Sequence, residues 1–102
     1  MTEKRRHPRV VATFDVACKQ SDGAAFTAVA RDVSLGGMFL VSAQSPPFGT
    51  QLTLDCLLPG ARAEYSLPAV VRWTGADGFG VQFGLLGARE THALTELMRR
   101  NR

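Results

Sequence analysis

The chain has 102 residues, which is room for one domain with its own core and no more. Its 45% apolar and 21% charged residues, with no apolar run near the roughly 20 residues that span a bilayer, exclude disordered, fibrous and membrane-inserted chains. The net charge of +3 resides in residues 1–9, which carry four basic and one acidic side chain, whereas residues 10–102 carry eight of each, which excludes a generally basic surface.

The N-terminal segment, residues 1–9, is short, basic and poor in apolar anchors. Arg5 and Arg9 form an R-x-x-x-R motif, with Arg6 between them. Such segments order poorly without a partner, so we expect a flexible basic leader over residues 1–9 and a folded domain over residues 10–102.

Six segments after this leader alternate apolar and polar residues as half-buried strands do. Ten glycines and five prolines separate them at intervals of roughly ten residues, a spacing typical of an all-β barrel. The third segment is the short apolar run 38–42, and the predicted inward faces of the others are Val10, Ala12, Phe14, Val16 and Cys18; Phe26, Ala28 and Ala30; Leu52, Leu54, Cys56 and Leu58; Tyr65, Leu67, Ala69, Val71 and Trp73; and Phe79, Val81 and Phe83.

Pro68 lies inside the fifth segment and has no N–H to donate. Within sheets, proline is tolerated at edges and bulges, so we expect this strand to be an edge or to be bulged at Pro68. Trp73 alternates in phase with Leu67 and Val71, which is consistent with a position in the core.

The apolar period changes after the sixth segment, where Leu94, Leu97 and Met98 are spaced as one face of a helix. Gly87 or Thr91 is the expected start of this helix. The chain is therefore predicted to be all-β: a six-stranded antiparallel β-barrel with one C-terminal α-helix that plugs or flanks it.

The cysteines and the start of the chain indicate a cellular compartment. Cys18 and Cys56 lie in strand-like runs without C-x-x-C spacing, so we expect two buried free thiols in a reducing cytoplasm, with a disulfide or metal site as the alternative. Asp15 and Lys19 interrupt the apolar run that follows the basic start, and no small-residue cleavage site follows, so we expect no signal peptide.

A second motif, D-x-S-x-x-G, is formed by Asp32, Ser34 and Gly37 at the junction of the second and third strands. Each motif alone is a weak signal, because basic termini and turn residues are common. Together and in this order they resemble the PilZ family, whose members carry R-x-x-x-R before a β-barrel and [D/N]-x-S-x-x-G on it. Two later segments, 70–73 (V-V-R-W) and 78–83 (G-F-G-V-Q-F), are similar to the last two strands of that family.

The resemblance covers nearly the full chain and implies a stand-alone PilZ-like split barrel that binds cyclic di-GMP and needs no cofactor. Arginine suits this ligand, since its planar fork of donors matches phosphate oxygens and also O6 and N7 of guanine. Arg5 and Arg9 are expected to close over the ligand from one side, and Arg6 to add a third contact. Lys4 precedes the motif and leaves open whether one nucleotide or a stacked pair binds.

The second motif is expected to supply the remaining contacts. The Asp32 carboxylate suits the N1–H and N2–H₂ donors of guanine, with the Ser34 hydroxyl as a smaller partner. Gly37 is expected to provide an unusual backbone angle or a close approach to the ligand, and Trp73 a stacking surface for a base. The alternatives are that Asp32 orients an arginine, that Asp32 and Ser34 satisfy turn amides, and that the arginines are solvated.

These features predict a receptor that changes conformation when it binds cyclic di-GMP and signals to an unidentified protein effector, in motility or surface behaviour. The alternative function is an adaptor that acts by protein contact without nucleotide. Nucleic acid binding is not expected, because the barrel is neutral. No catalytic triad, metal cluster or phosphate loop is present in the sequence, so we expect no enzyme activity. The expected oligomeric state is a monomer or a weak homodimer.

Overall fold

The computed structural model describes residues 9–100. Residues 1–8 of the predicted leader, and with them Arg5 and Arg6, lie outside the described residues. The elements in chain order are β1 (Val10–Gln20), β2 (Ala25–Val33), β3 (Gly37–Val41), β4 (Gln51–Cys56), β5 (Tyr65–Thr74), β6 (Gly78–Phe83) and α1 (Ala88–Arg100).

The six strands close into a barrel in the order β1-β2-β3-β6-β5-β4, and every neighbouring pair is antiparallel. Closure pairs both edges of every strand, which removes the free edges that would otherwise invite association. The prediction of a six-stranded antiparallel barrel with a C-terminal helix is therefore confirmed.

The core lies inside the barrel and continues under the helix. The inward residues of the strands follow the predicted alternation except at Trp73, and Phe79, Met38 and Leu40 are among the fully buried side chains. α1 adds Leu94 and Leu97, which are also buried in this core, so the helix covers the barrel rather than lying free on its surface. Each such side chain contributes about 1.5–3 kcal/mol to stability by leaving water.

The helix begins at Ala88, directly after Gly87, which is one of its two predicted starts. The N–H of Thr91 donates to the carbonyl of Gly87 over 3.0 Å, which makes Gly87 the residue that caps the first turn. α1 is the only helix within residues 9–100, and it is too short and too polar to cross a membrane.

Cys18 and Cys56 are buried free thiols on the neighbouring strands β1 and β4. Burial raises the pKa of each thiol to about 12, since a thiolate would lose its hydration there. Both side chains therefore act as small apolar residues of the core.

The expectation that β5 is an edge, or bulged at Pro68, is wrong. β5 lies between β4 and β6, and Pro68 pairs with Thr53 without a shift in register. The carbonyl of Pro68 accepts from the N–H of Gly84 over 2.8 Å, so the missing N–H faces the side on which β6 has already ended at Phe83. The proline thus affects only the end of the β5–β6 ladder, beyond the last paired residue of β6.

The expectation that Trp73 shares an inward face with Leu67 and Val71 is also wrong. Val71 pairs with Val81 but Trp73 pairs with Gly80, so Arg72 is an extra residue that forms a β-bulge. The bulge reverses the alternation, and Trp73 points outward with 56% of its surface exposed.

A second bulge of the same kind occurs in β2. Ala30 pairs with Leu40 and Asp32 with Phe39, which leaves Arg31 as the extra residue. Ala30 faces the core, but Asp32 faces outward as a result. Both bulges therefore turn a side chain of interest from the core side to the outer surface.

Glycines stand at both ends of the β3–β6 pair, where a side chain would meet the backbone of the opposite strand. A Cβ at Gly37 would overlap the carbonyl oxygen of Val81, and a Cβ at Gly78 would overlap that of Leu40. Gly37 does not have a positive φ, so its lack of a side chain matters for space rather than for backbone angle.

We predict that Gly37→Ala destabilises the protein by about 1–3 kcal/mol, because the added methyl group forces β3 away from β6. Gly80→Ala is the matched control, since its Cβ would lie 3.6 Å from the nearest atom, which is ordinary van der Waals contact. Urea unfolding of both variants measures the difference. Equal stability of the two variants would show that β3 and β6 adjust at no cost.

Candidate functional site

The two sequence motifs meet at an ion pair between Arg9 and Asp32. Val11 of β1 pairs with Asp32 of β2, which brings the residue just ahead of β1 beside the end of β2. The Nη1 atom of Arg9 donates to Oδ1 of Asp32 over 2.7 Å, and both side chains are partly shielded from water. A charge-assisted hydrogen bond in such a place fixes the direction of the guanidinium group. In this structure Asp32 therefore holds an arginine rather than turn amides.

Ser34 organises the loop between β2 and β3 from within. Its Oγ accepts from the N–H groups of Gly36 and Gly37 at 3.1 and 3.2 Å and donates to the carbonyl of Gly37 at 3.3 Å. The side chain is buried, and the carbonyl of Gly36 accepts from the N–H of Phe83 over 2.8 Å. The serine of the second motif thus shapes the loop, and the loop is in turn bonded to the end of β6.

An outward-facing stack of side chains follows from the two bulges. The rings of Trp73 and Phe39 lie with centroids 5.5 Å apart at 52°, and the guanidinium of Arg31 lies 4.1 Å from the centroid of the Phe39 ring. Phe39 contacts both side chains and is only 8% exposed, although it points away from the barrel interior. Trp73 therefore has a rigid aromatic support beneath one part of its surface.

A groove of about 590 Å³ runs beside this stack. It is lined by Arg9, Ser34, Leu35, Gly36, Gly37, Arg72, Trp73, Gly80, Val81, Gln82, Phe83 and Gly84. Two guanidinium groups and no carboxylate contribute to this lining. Arg9 is paired with Asp32 beside the groove, whereas Arg72 forms no ion pair within residues 9–100, so the groove favours an anion. Arg72 is held by a hydrogen bond from its Nε to Oε1 of Gln82 at 3.1 Å, and its guanidinium lies 5.8 Å from the centroid of the Phe48 ring.

The structure brings most of the predicted site residues into one place. Arg9, Ser34, Gly37 and Trp73 line the groove, and Asp32 adjoins it through Arg9. The close approach that Gly37 permits is to β6, and whether it also contacts a ligand stays a prediction.

Sequence reasoning missed Arg72, Gln82 and Phe39 as parts of this surface. Arg72 stands beside Trp73 in the V-V-R-W segment, and that adjacency was the available signal. Phe39 gave no signal, because it reads as an ordinary core residue of a short apolar strand.

A second groove, of about 570 Å³, lies over β1, β4 and β5. Its charges are internally compensated, because Nζ of Lys19 lies 2.7 Å from Asp55 and Oγ of Ser66 donates to the same carboxylate over 2.5 Å. Lys19 and Ser66 hold the pKa of Asp55 below its usual range. This groove therefore offers no free charge to an ionic ligand, and the first groove is the better candidate.

A family model for the PilZ domain matches residues 3–100. Among solved structures, the chain is similar to the Bacillus subtilis inhibitor of motility MotI/DgrA, with a TM-score of 0.79 and 23% identity over 97% of this chain. It covers 52% of that protein and so spans about half its length. No curated protein sequence matches the chain.

Two further solved structures are isolated PilZ domains. The PilZ domain of CeSA from a cellulose-synthesizing bacterium has a TM-score of 0.72 and 22% identity, with 91% of this chain and 96% of that chain covered. The PilZ domain of Escherichia coli YcgR, solved with c-di-GMP, has a TM-score of 0.69 and 16% identity, with 96% and 94% covered. At these identities the likeness concerns the fold.

We predict that Ser34→Ala costs about 1–3 kcal/mol of stability, because the buried amides of the β2–β3 loop lose their acceptor. Ser66→Ala serves as the control, since Ser66 is exposed and its hydroxyl bonds a surface carboxylate. Urea unfolding compares the two variants. If Ser34→Ala were no more destabilising than Ser66→Ala, the loop would not depend on this hydroxyl.

Proposed function

The chain belongs to the PilZ domain family, and we propose that it is a receptor for cyclic di-GMP that binds in the groove beside Trp73. The observation that carries the proposal is the composition of this groove, where two guanidinium groups and an exposed tryptophan stand side by side without a carboxylate. Cyclic di-GMP presents the complementary groups, two phosphates and two guanine faces. The c-di-GMP bound to the PilZ domain of YcgR supports this choice of ligand.

Arginines from two places supply the charge in this proposal. Arg9 is already aimed by Asp32, so it reaches a phosphate or a guanine edge with little loss of side-chain entropy. Arg5 and Arg6 precede it in the leader and close over the nucleotide from the open side. Asp32 acts chiefly by orienting Arg9, and a direct bond to guanine N1–H and N2–H₂ is its second role.

The remaining site residues provide shape and stacking. Ser34 and Gly37 hold the β2–β3 loop against β6 and so form one wall of the groove. The face of Trp73 stacks on a guanine, and Phe39 keeps the indole in place for it.

Binding then acts as a signal rather than starting a reaction. Drawing the leader, residues 1–9, onto the barrel changes the surface that a protein effector meets, in motility or surface behaviour. An adaptor that acts without nucleotide is the second candidate function. The presence of both motifs disfavours it, because such an adaptor has no need for charge in the groove.

We predict micromolar or tighter binding of cyclic di-GMP in calorimetric titration, and no comparable binding of GTP. Arg9→Ala and the double variant Arg5→Ala/Arg9→Ala are expected to weaken binding by at least about tenfold, because each removes charge-assisted bonds to the nucleotide. The affinity of the unmodified chain should fall as salt is raised.

Arg99→Ala is the control for this titration, since Arg99 pairs with Glu96 on the exposed face of α1 and does not line the groove. Its affinity should match that of the unmodified chain. Absence of heat at high ligand concentration would contradict the receptor function and favour the nucleotide-independent adaptor.

Trp73 is the only tryptophan of the chain, so its fluorescence reports on the groove alone. We predict that saturating cyclic di-GMP changes this emission and that Trp73→Ala weakens binding by about 1–3 kcal/mol, or roughly five- to 150-fold. Trp73→Phe should keep part of the affinity. Unchanged emission together with unchanged affinity of Trp73→Ala would place Trp73 outside the ligand site.

A further inference from the structure

A smaller pocket of about 310 Å³ lies where α1 meets the β4–β5 loop, and it shares no lining residue with the groove beside Trp73. Its lining is Pro59, Gly60, Ala61, Arg62, Tyr65, His92, Ala93, Glu96 and Arg100. The pocket is therefore built from two parts that are distant in sequence, the β4–β5 loop up to the start of β5 and one face of the helix.

The loop wall is a tight turn shaped around an arginine. The N–H of Ala61 donates to the carbonyl of Leu58 over 2.8 Å, with Pro59 and Gly60 between them and φ of Gly60 at 83°, as in a type II turn. Any side chain at position 60 would overlap the guanidinium of Arg100. The turn thus seats Arg100 at the mouth of the pocket.

Three arginines lie in or beside this pocket. Arg62, Arg89 and Arg100 form no ion pair with any carboxylate of residues 9–100. Arg62 and Arg100 line the pocket, and the guanidinium of Arg89 lies 5.8 Å from the centroid of the Tyr65 ring on its border.

The nearby carboxylates are engaged or directed elsewhere. Both oxygens of Glu96 accept from Nη2 of Arg99, at 2.8 and 3.0 Å, and this pairing lowers the pKa of Glu96. The carboxylate of Glu90 folds back over Gly87. Glu64 lines a different hollow, beside Cys56. The charge of Arg100 also acts on Glu96, but this carboxylate is already bonded to Arg99, so this side of an otherwise neutral barrel keeps an excess of positive charge among residues 9–100.

We propose that this pocket docks an acidic segment of a protein partner, with one apolar side chain on its floor and flanking carboxylates on Arg62, Arg89 and Arg100. The floor is suited to such an anchor, because Ala61, Ala93 and Tyr65 are partly buried against the core. Arginine binds carboxylate in the bidentate geometry that its fork provides.

The shape of the site favours a protein over other anionic partners. Nucleic acid binding uses an extended basic track with exposed aromatic rings, and membrane binding uses a broad apolar face. Here the charges ring one small concave pocket, which fits a short peptide segment. The pocket shares no lining residue with the nucleotide groove, so peptide docking can be tested separately from the proposed receptor function.

The test is a titration of the full-length, ¹⁵N-labelled chain with a synthetic peptide that carries one leucine between two pairs of glutamates, without nucleotide. Amide shifts are expected in residues 60–65 and 89–100, and Arg62→Gln/Arg100→Gln should weaken binding by about tenfold. Lys19→Gln is the control, since Lys19 is also exposed to solvent but pairs with Asp55 away from the pocket, and it should leave binding unchanged. A peptide with lysines in place of the glutamates should give no shifts.

Three results would overturn the proposal. They are an absence of localised shifts, equal binding by the doubly neutralised variant, and stronger shifts of the same residues with duplex DNA or phosphatidylserine vesicles than with the peptide. All the substituted residues are exposed, so each variant should keep the fold. The spectrum of each variant checks this in the same experiment.

Discussion

The close approach of β3 and β6 is the contact on which the rest of the molecule depends. These two strands are distant in sequence, and their pairing closes a sheet that would otherwise end in two open edges. Gly37 and Gly78 leave room for it at either end. The same pairing holds the β2–β3 loop, since the carbonyl of Gly36 is bonded to the end of β6. Closure of the barrel and the wall of the candidate site are thus one structural feature.

Two inserted residues then decide what the outer surface presents. Arg31 and Arg72 each add one residue to a strand, and each insertion reverses the faces beyond it. Without the reversal, Asp32 and Trp73 would point into an apolar core, where a carboxylate is costly. With the reversal, both side chains adjoin the same groove. Phe39 contacts Trp73 on one strand and Arg31 on the other.

Sequence patterns predicted what depends on local periodicity. The strand faces, the start of the helix at Gly87 and the order of elements follow from alternation and turn residues, and the structure agrees with them. Patterns of period two assume that a strand has no insertions, so they placed Trp73 on the wrong face. The prediction that β5 is an edge or is bulged at Pro68 failed for a related reason. A proline is tolerated inside a sheet where the neighbouring strand has ended, and the end of β6 cannot be located from the sequence. The distribution of charge on the surface could not be predicted from the sequence either, because Arg62 and Arg100 line the same pocket only when the helix packs against the loop.

The reactivity of the two buried thiols can report on opening of the barrel. Cys18 and Cys56 lie on the neighbouring strands β1 and β4, and both are buried in protonated form. A thiol reagent reaches them only after these strands part, and it reacts with the thiolate that then appears. The rate of thiol modification under native conditions therefore measures how often β1 and β4 separate. Two ordinary core residues thereby make the opening of a closed sheet observable in a protein that has not been altered.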